Sequence, residues 1–194
     1  FQFWDRPSRA LIAEFDHAAL THDTRYPFTV QCEQHKLANL ALARLRTFAH
    51  AEVHFSARVV SAETRRDRVE IAVETAAGTR SVAGSYLIGA DGGRSTVRKA
   101  LGIDFEGYTF PERFLVLTTP FDFGAVGPWC TRNYFSDPDE WAALFKVAGE
   151  DGSGLWRVVF PTQPRQTDEQ IFDEQAVQQR LQKFFPKSGP YPVI

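Results

Sequence analysis

Midway along the chain, in "GADGGRSTVRKALGI", an acid and two glycines, Asp91, Gly92 and Gly93, close an apolar run and lead into a helix-like segment. Glycines let backbone N–H groups approach a ligand closely, and a helix start offers unpaired donors with partial positive charge. At the end of a strand, that combination can hold a phosphate-bearing cofactor. An Asp-Gly pair also serves simply to turn the chain, with Asp91 bonding the backbone two residues on. Arg98 could pair with Asp91 or attract phosphate through its planar fork, or stand solvated on a helix face. Arg94 has the same two readings, as a contact for a nicotinamide-cofactor phosphate or as an exposed loop charge.

Other chemistry is thinly represented. The histidines at 17, 22, 35, 50 and 54 show neither triad nor metal spacing, and no metal site is expected. Cys32 and Cys130 lie far apart and outside any Cys-x-x-Cys, so both are expected to be reduced and structural. Basic and acidic residues number 22 and 24 and are well mixed, which leaves no electrostatic footprint for nucleic acid or anionic lipid. A small-molecule partner is expected. Apolar runs fall short of the roughly 20 residues of a membrane helix, and no secretory signal is present, so a cytoplasmic protein with no membrane partner is expected. The sequence contains no methionine and opens on "FQFWDRPSRA", from which an internal fragment of a longer protein is expected.

These residues need elements to position them. "YLIGA", continuous and apolar, predicts a central strand buried on both faces of a largely parallel sheet, ending at Asp91. Ser95 suits the cap of a following helix and Gly102 its end. After a loop-rich opening, Leu37, Ala41, Leu45 and Phe48 recur at helical spacing and predict a helix from near Gln34 to Phe48. Residues from Glu52 to Gly84 alternate β-rich runs with polar breaks, the pattern of a meander with Val69, Ile71 and Val73 on one face. From Ile103 on, aromatic strands joined by polar loops predict an antiparallel sheet, closed by a helix with a capping box at Thr167 and Gln170 and a stripe of Val177, Leu181 and Phe184. The fold class is α+β. The expected division is an α/β nucleotide-fold portion over 1–103 and an antiparallel-sheet domain over 104–194.

The string D-G-x-x-S-x-x-R, carried by Asp91, Gly92, Ser95 and Arg98, resembles the mid-chain fingerprint of the single-component flavin-dependent aromatic hydroxylases. This family includes para-hydroxybenzoate hydroxylase and 3-(3-hydroxyphenyl)propionate hydroxylase. "YPFTVQCEQHKLANLALARL" and the order of aromatic strands, "DP" loop, "LWRVVFP" and acidic helix are similar to its other segments, closest to the phenylpropionate branch. The resemblance implies an FAD monooxygenase using NAD(P)H and O2 to hydroxylate a phenolic acid, with a possible homodimer in the parent. It implies cofactor contacts from Gln31, Val59, Asp91, Gly92, Gly93 and Arg98, with Asp91 organising a turn near the pyrophosphate rather than acting as a catalytic acid. Gln31 could equally be a plain helix-start residue, and Val59 a packing residue. The family's G-x-G-x-x-G and Gly-Asp-Ala segments do not occur, which puts FAD binding by the chain alone in doubt. No catalytic base is identified. Halogenases, epoxidases and reductases of related flavoproteins share the string, and an inert substrate-domain fragment is the third reading. Tyr108, Phe110, Phe114, Trp129, Tyr134 and Trp156 could wall an aromatic substrate's pocket or pack a core.

Overall fold

The computed structural model describes residues 1–194. Two short strands, β1 (Gln2–Asp5) and β2 (Leu11–Glu14), open the chain where loop was expected. Helix α1 (Gln34–Leu45) stops short of Phe48, because Thr47 and Phe48 donate to carbonyls only three residues back and tighten the last turn. Strands β3 (Arg58–Thr64), β4 (Val69–Thr75) and β5 (Gly78–Gly84) follow, then α2 (Thr96–Ala100). Next come β6 (Phe114–Thr119), β7 (Arg132–Ser136), β8 (Ala142–Val147) and β9 (Leu155–Pro161), and finally α3 (Asp168–Ile171) and α4 (Glu174–Phe184).

The chain divides into two units, one of Phe1–Leu40 with Phe110–Ile194 and one of Ala41–Thr109. A linear division at residue 103 does not describe them. The reason is strand pairing: β1 lies parallel to β7, with Phe3 opposite Tyr134, which draws the opening residues into the later sheet.

In the first unit a six-stranded sheet runs in the order β2-β1-β7-β8-β9-β6, antiparallel except for β1 with β7. Side chains alternate across it, and β9 is the clearest case, with Trp156, Val158 and Phe160 buried and Leu155, Arg157 and Val159 half-buried. The buried face packs on α3, α4 and the segment that follows them, through Ile171, Val177, Leu181, Phe184 and Tyr191. Residues 177, 181 and 184 share one helical face. Thr167 and Gln170 form the expected capping box, and Asp173 accepts from the Ala176 N–H to start α4. Ion pairs from Arg6 to Asp137 and from Arg180 to Glu140 reinforce this packing.

The second unit carries the expected meander, β3-β4-β5, antiparallel throughout, with Val73 and Ala62 buried and α2 packed on β3. One expectation fails here. Residues 86–90 form no strand, and Tyr86 and Ile88 stand 91% and 87% exposed. A parallel strand exists only through its neighbours, and no strand of this chain pairs with "YLIGA". The α+β class stands.

Candidate functional site

In the second unit, the turn after "YLIGA" is built around Asp91. One of its carboxylate oxygens accepts from the Ser95 hydroxyl, the other from the backbone N–H groups of Thr96 at 2.6 Å and Val97 at 3.2 Å. The Ser95 hydroxyl in turn accepts from the Arg98 N–H at 3.0 Å. These bonds, that of Ser95 foremost, hold the Asp91 carboxyl below the ordinary aspartate range. They also correct the expectation of unpaired donors at the helix start, because the amides of residues 96, 97 and 98 are all taken. The unspent donors are one step earlier. The N–H groups of Gly92, Gly93 and Arg94 have no partner in the chain.

Glycine is needed in this turn for two different reasons. Gly92 has φ +75°, a left-handed conformation, and a Cβ added there would meet nothing within 4 Å. Its backbone is therefore open to a ligand. Gly89, which sequence reasoning passed over, is packed instead: a Cβ there would lie 3.0 Å from the Val97 side chain. Only the glycine within an otherwise apolar run hinted at that close approach.

Arg98 does not pair with Asp91. Its guanidinium donates to the Gly93 carbonyl at 3.0 Å and lies 4.5 Å from the centre of the Phe105 ring, which leaves its buried Nε without a partner. Arg98 thus clamps the turn by its carbonyl and keeps a positive charge beside it. Arg94 is exposed. Val59 sits half-buried on β3 opposite Val73. Gln31 belongs to the first unit, where its side-chain amide donates to the Thr131 carbonyl at 2.9 Å. The structure therefore gathers Asp91, Gly92, Gly93 and Arg98 into one turn and leaves Gln31 and Val59 in other elements.

The uncovered face of the six-stranded sheet is aromatic. Phe3 stacks on Tyr134 with ring centres 5.0 Å apart, Tyr134 meets Phe145 edge to face at 5.7 Å, and Phe1 stacks on Phe15 at 4.9 Å. Phe114 lies on the same face and is 48% exposed. Trp156 is a core residue instead, 2% exposed on the opposite face, and Trp129 packs against Phe123, Phe135 and Phe185 beside a cavity of about 230 Å³. Phe110 and Tyr108, before β6, are largely exposed. Sequence composition could not separate wall from core, since alternation decides it strand by strand.

Residues 6–193 match the FAD binding domain family. The chain belongs to this family. It is 30% identical over 184 residues to the para-nitrophenol 4-monooxygenase of a Pseudomonas species, covering 94% of this chain and 43% of that protein. It is 31% identical over 153 residues to the 3-(3-hydroxy-phenyl)propionate/3-hydroxycinnamic acid hydroxylase of Mycolicibacterium smegmatis, covering 79% of this chain and 26% of that protein. The crystal structure of p-nitrophenol 4-monooxygenase from Pseudomonas putida superposes with a TM-score of 0.87 at 28% identity, over 100% of this chain and 48% of that one. The chain thus spans less than half the length of these relatives. The FAD-dependent aromatic hydroxylases, to which the D-G-x-x-S-x-x-R string pointed, are its kin.

Proposed function

We propose that the whole protein of which this chain is part is a cytoplasmic FAD monooxygenase that uses NAD(P)H and O2 to hydroxylate a small aromatic substrate. The observation that carries this reading is an uncovered sheet face of stacked aromatic rings in a chain of the FAD binding domain family, similar along nearly its whole length to a nitrophenol monooxygenase.

The residues of the Asp91 turn fit a cofactor's anionic part. Gly92 is open and left-handed, the Gly92, Gly93 and Arg94 amides are unspent, and two arginines stand alongside. Asp91 organises this turn through three hydrogen bonds and does no acid–base work. Arg98 holds the Gly93 carbonyl and so fixes the direction of the adjacent amides. Gln31 and Val59 are assigned secondary contacts on the strength of the family resemblance. FAD held there would supply the redox chemistry, by which two electrons from NAD(P)H and one O2 give one oxygen atom to the ring and one to water. The protein's share is to orient the substrate ring against Tyr134, Phe145 and Phe3 and to exclude water there.

The test is full-length protein assayed for bound flavin, for NAD(P)H consumption stimulated by phenols, and for one labelled oxygen atom in the product under 18O2. The expected result is a hydroxylated ring bearing one label. Flavin-loaded protein whose NAD(P)H consumption no phenol stimulates, or whose product carries no label, overturns the reading.

A further inference from the structure

The helix-covered side of the six-stranded sheet holds a cavity of about 230 Å³ that the open aromatic face does not share. Its floor is a box of rings. Trp4, Phe123, Phe135, Phe185 and Tyr191 are buried there, and Trp129 closes one side with its ring centre 5.2 Å from that of Phe185, 6.0 Å from Phe123 and 6.1 Å from Phe135. Register places this box on the far side from the open face. Phe3 is opposite Tyr134 and Trp4 opposite Phe135, and neighbours along a strand point to opposite faces, so the sheet itself divides the pair that lines the cavity from the pair that walls the open face. A glycine gives Trp129 its place: a Cβ on Gly127 would fall 2.7 Å from the indole, well inside contact distance. The rim is exposed at Arg9, Val126 and Pro186, so the cavity opens at the surface of this unit.

Size and walls select the guest. An apolar cavity of about 150 Å³ accepts benzene, so this larger one has room for a single ring with a small substituent. Walls of rings already disposed edge to face favour a further ring among them. The polar groups around the cavity decide against a charge. The Trp4 indole N–H is spent on Asn133, the Tyr191 hydroxyl on the Phe185 carbonyl, the Asp5 carboxylate on Ser8 and the Arg6 guanidinium on Asp137. Lys187 donates to the carbonyls of Ser188, Gly189 and Pro190. Arg9 has no carboxylate partner, but it stands exposed at the rim. A charged guest in the box would lose its hydration and gain no partner, whereas an uncharged ring loses little. We infer that this cavity is a second small-molecule site, for an uncharged single-ring arene, separate from the face that orients the substrate. It needs neither flavin nor turnover, and so stands apart from the monooxygenase reading.

The experiment uses the full-length protein. In crystals soaked with bromobenzene, the anomalous signal of bromine is expected inside the cavity, against Trp129, Phe123 and Phe185. In solution, fluorobenzene and 4-fluorobenzoate are titrated and followed by 19F NMR in the wild type and in Val126→Trp. The new indole covers the rim, and because Val126 is 63% exposed the core is spared. Fluorobenzene is expected to bind saturably to the wild type and at least about fivefold more weakly to Val126→Trp. For 4-fluorobenzoate, the same ring with a charge, no binding that Val126→Trp removes is expected. Phe145→Ala, on the open face, should leave the Val126-sensitive binding within about twofold of wild type. Bromine found only on the open face, or fluorobenzene binding that Val126→Trp leaves unchanged, overturns the inference. Bromine in the cavity without saturable binding in solution is binding at crystal concentration only, and overturns it too. Equal, Val126-sensitive binding of 4-fluorobenzoate overturns the assignment to uncharged rings.

Discussion

Asp91 illustrates how a residue can be necessary to a site without touching the chemistry. Its carboxylate accepts from Ser95, Thr96 and Val97, so its removal frees the amides of α2 and releases the loop that carries the Gly92 and Gly93 donors. Asp91→Ala in the full-length protein is expected to weaken flavin binding on the order of tenfold, measured by flavin retained on dialysis. Acid should act on the same point. Because hydrogen bonds depress the folded-state pKa, Asp91 contributes stability above the unfolded value of about 3.9 and loses it as pH falls through the lower folded value. Asp91→Asn should therefore flatten the acid limb of the stability profile below about pH 4, read by fluorescence. The two glycines separate cleanly. Gly89→Ala forces a Cβ against Val97 and is expected to cost about 1–3 kcal/mol of stability in denaturant titration. Gly92→Ala meets no atom, and its roughly 1–2 kcal/mol comes from the left-handed backbone alone.

Among the elements, β7 pairs with β1 on one side and β8 on the other, and so joins the opening residues to the later sheet. At its centre Asn133 is fully buried; its amide donates to the Cys130 carbonyl at 2.6 Å and its oxygen accepts from the Trp4 indole at 3.3 Å. Both contacts link β1 and the loop before β7 to the sheet. Asn133→Leu leaves the Trp4 N–H and the Cys130 carbonyl unpaired in the core, and a loss of about 2–4 kcal/mol is expected in urea denaturation. By contrast the apolar stripe of α1 is uncovered within the chain: Leu37 and Leu45 are 64% and 44% exposed. The periodicity that predicted the helix was right about its backbone and silent about whether anything covers it.

For the molecule as a whole, burial and exposure divide its tyrosines. Of five in the chain, Tyr191 is 4% exposed, with its hydroxyl donating to the Phe185 carbonyl, and burial pushes its pKa up to about 12. A group raised in this way contributes stability that is fully present below its unfolded value of about 10 and is lost as pH rises through about 12. An ultraviolet titration of phenolate absorbance should thus show a tyrosine that ionises only near pH 12 and together with unfolding, and Tyr191→Phe should remove that late step. The same scale governs flavin. With the helix-start amides of α2 already occupied and no G-x-G-x-x-G in the sequence, the 194-residue chain by itself is expected to be isolated colourless, and tightly held stoichiometric flavin in its spectrum would contradict this.

What the sequence determined by itself is what local rules govern. The cap at Ser95, the capping box at Thr167 and Gln170, the stripe of α4, the β3-β4-β5 meander and the fingerprint from Asp91 to Arg98 depend on residues a few positions apart, and all were legible. What only the tertiary structure decided depends on partners distant along the chain. The parallel seam of Gln2–Asp5 on Arg132–Ser136 joins segments about 130 residues apart, and nothing local announces it. "YLIGA" shows the converse, because its apolarity predicts a strand and no segment of this chain pairs with it to make one. The aromatic wall is likewise a matter of register: Arg132, Phe145 and Arg157 become neighbours only because three antiparallel strands place them in one row.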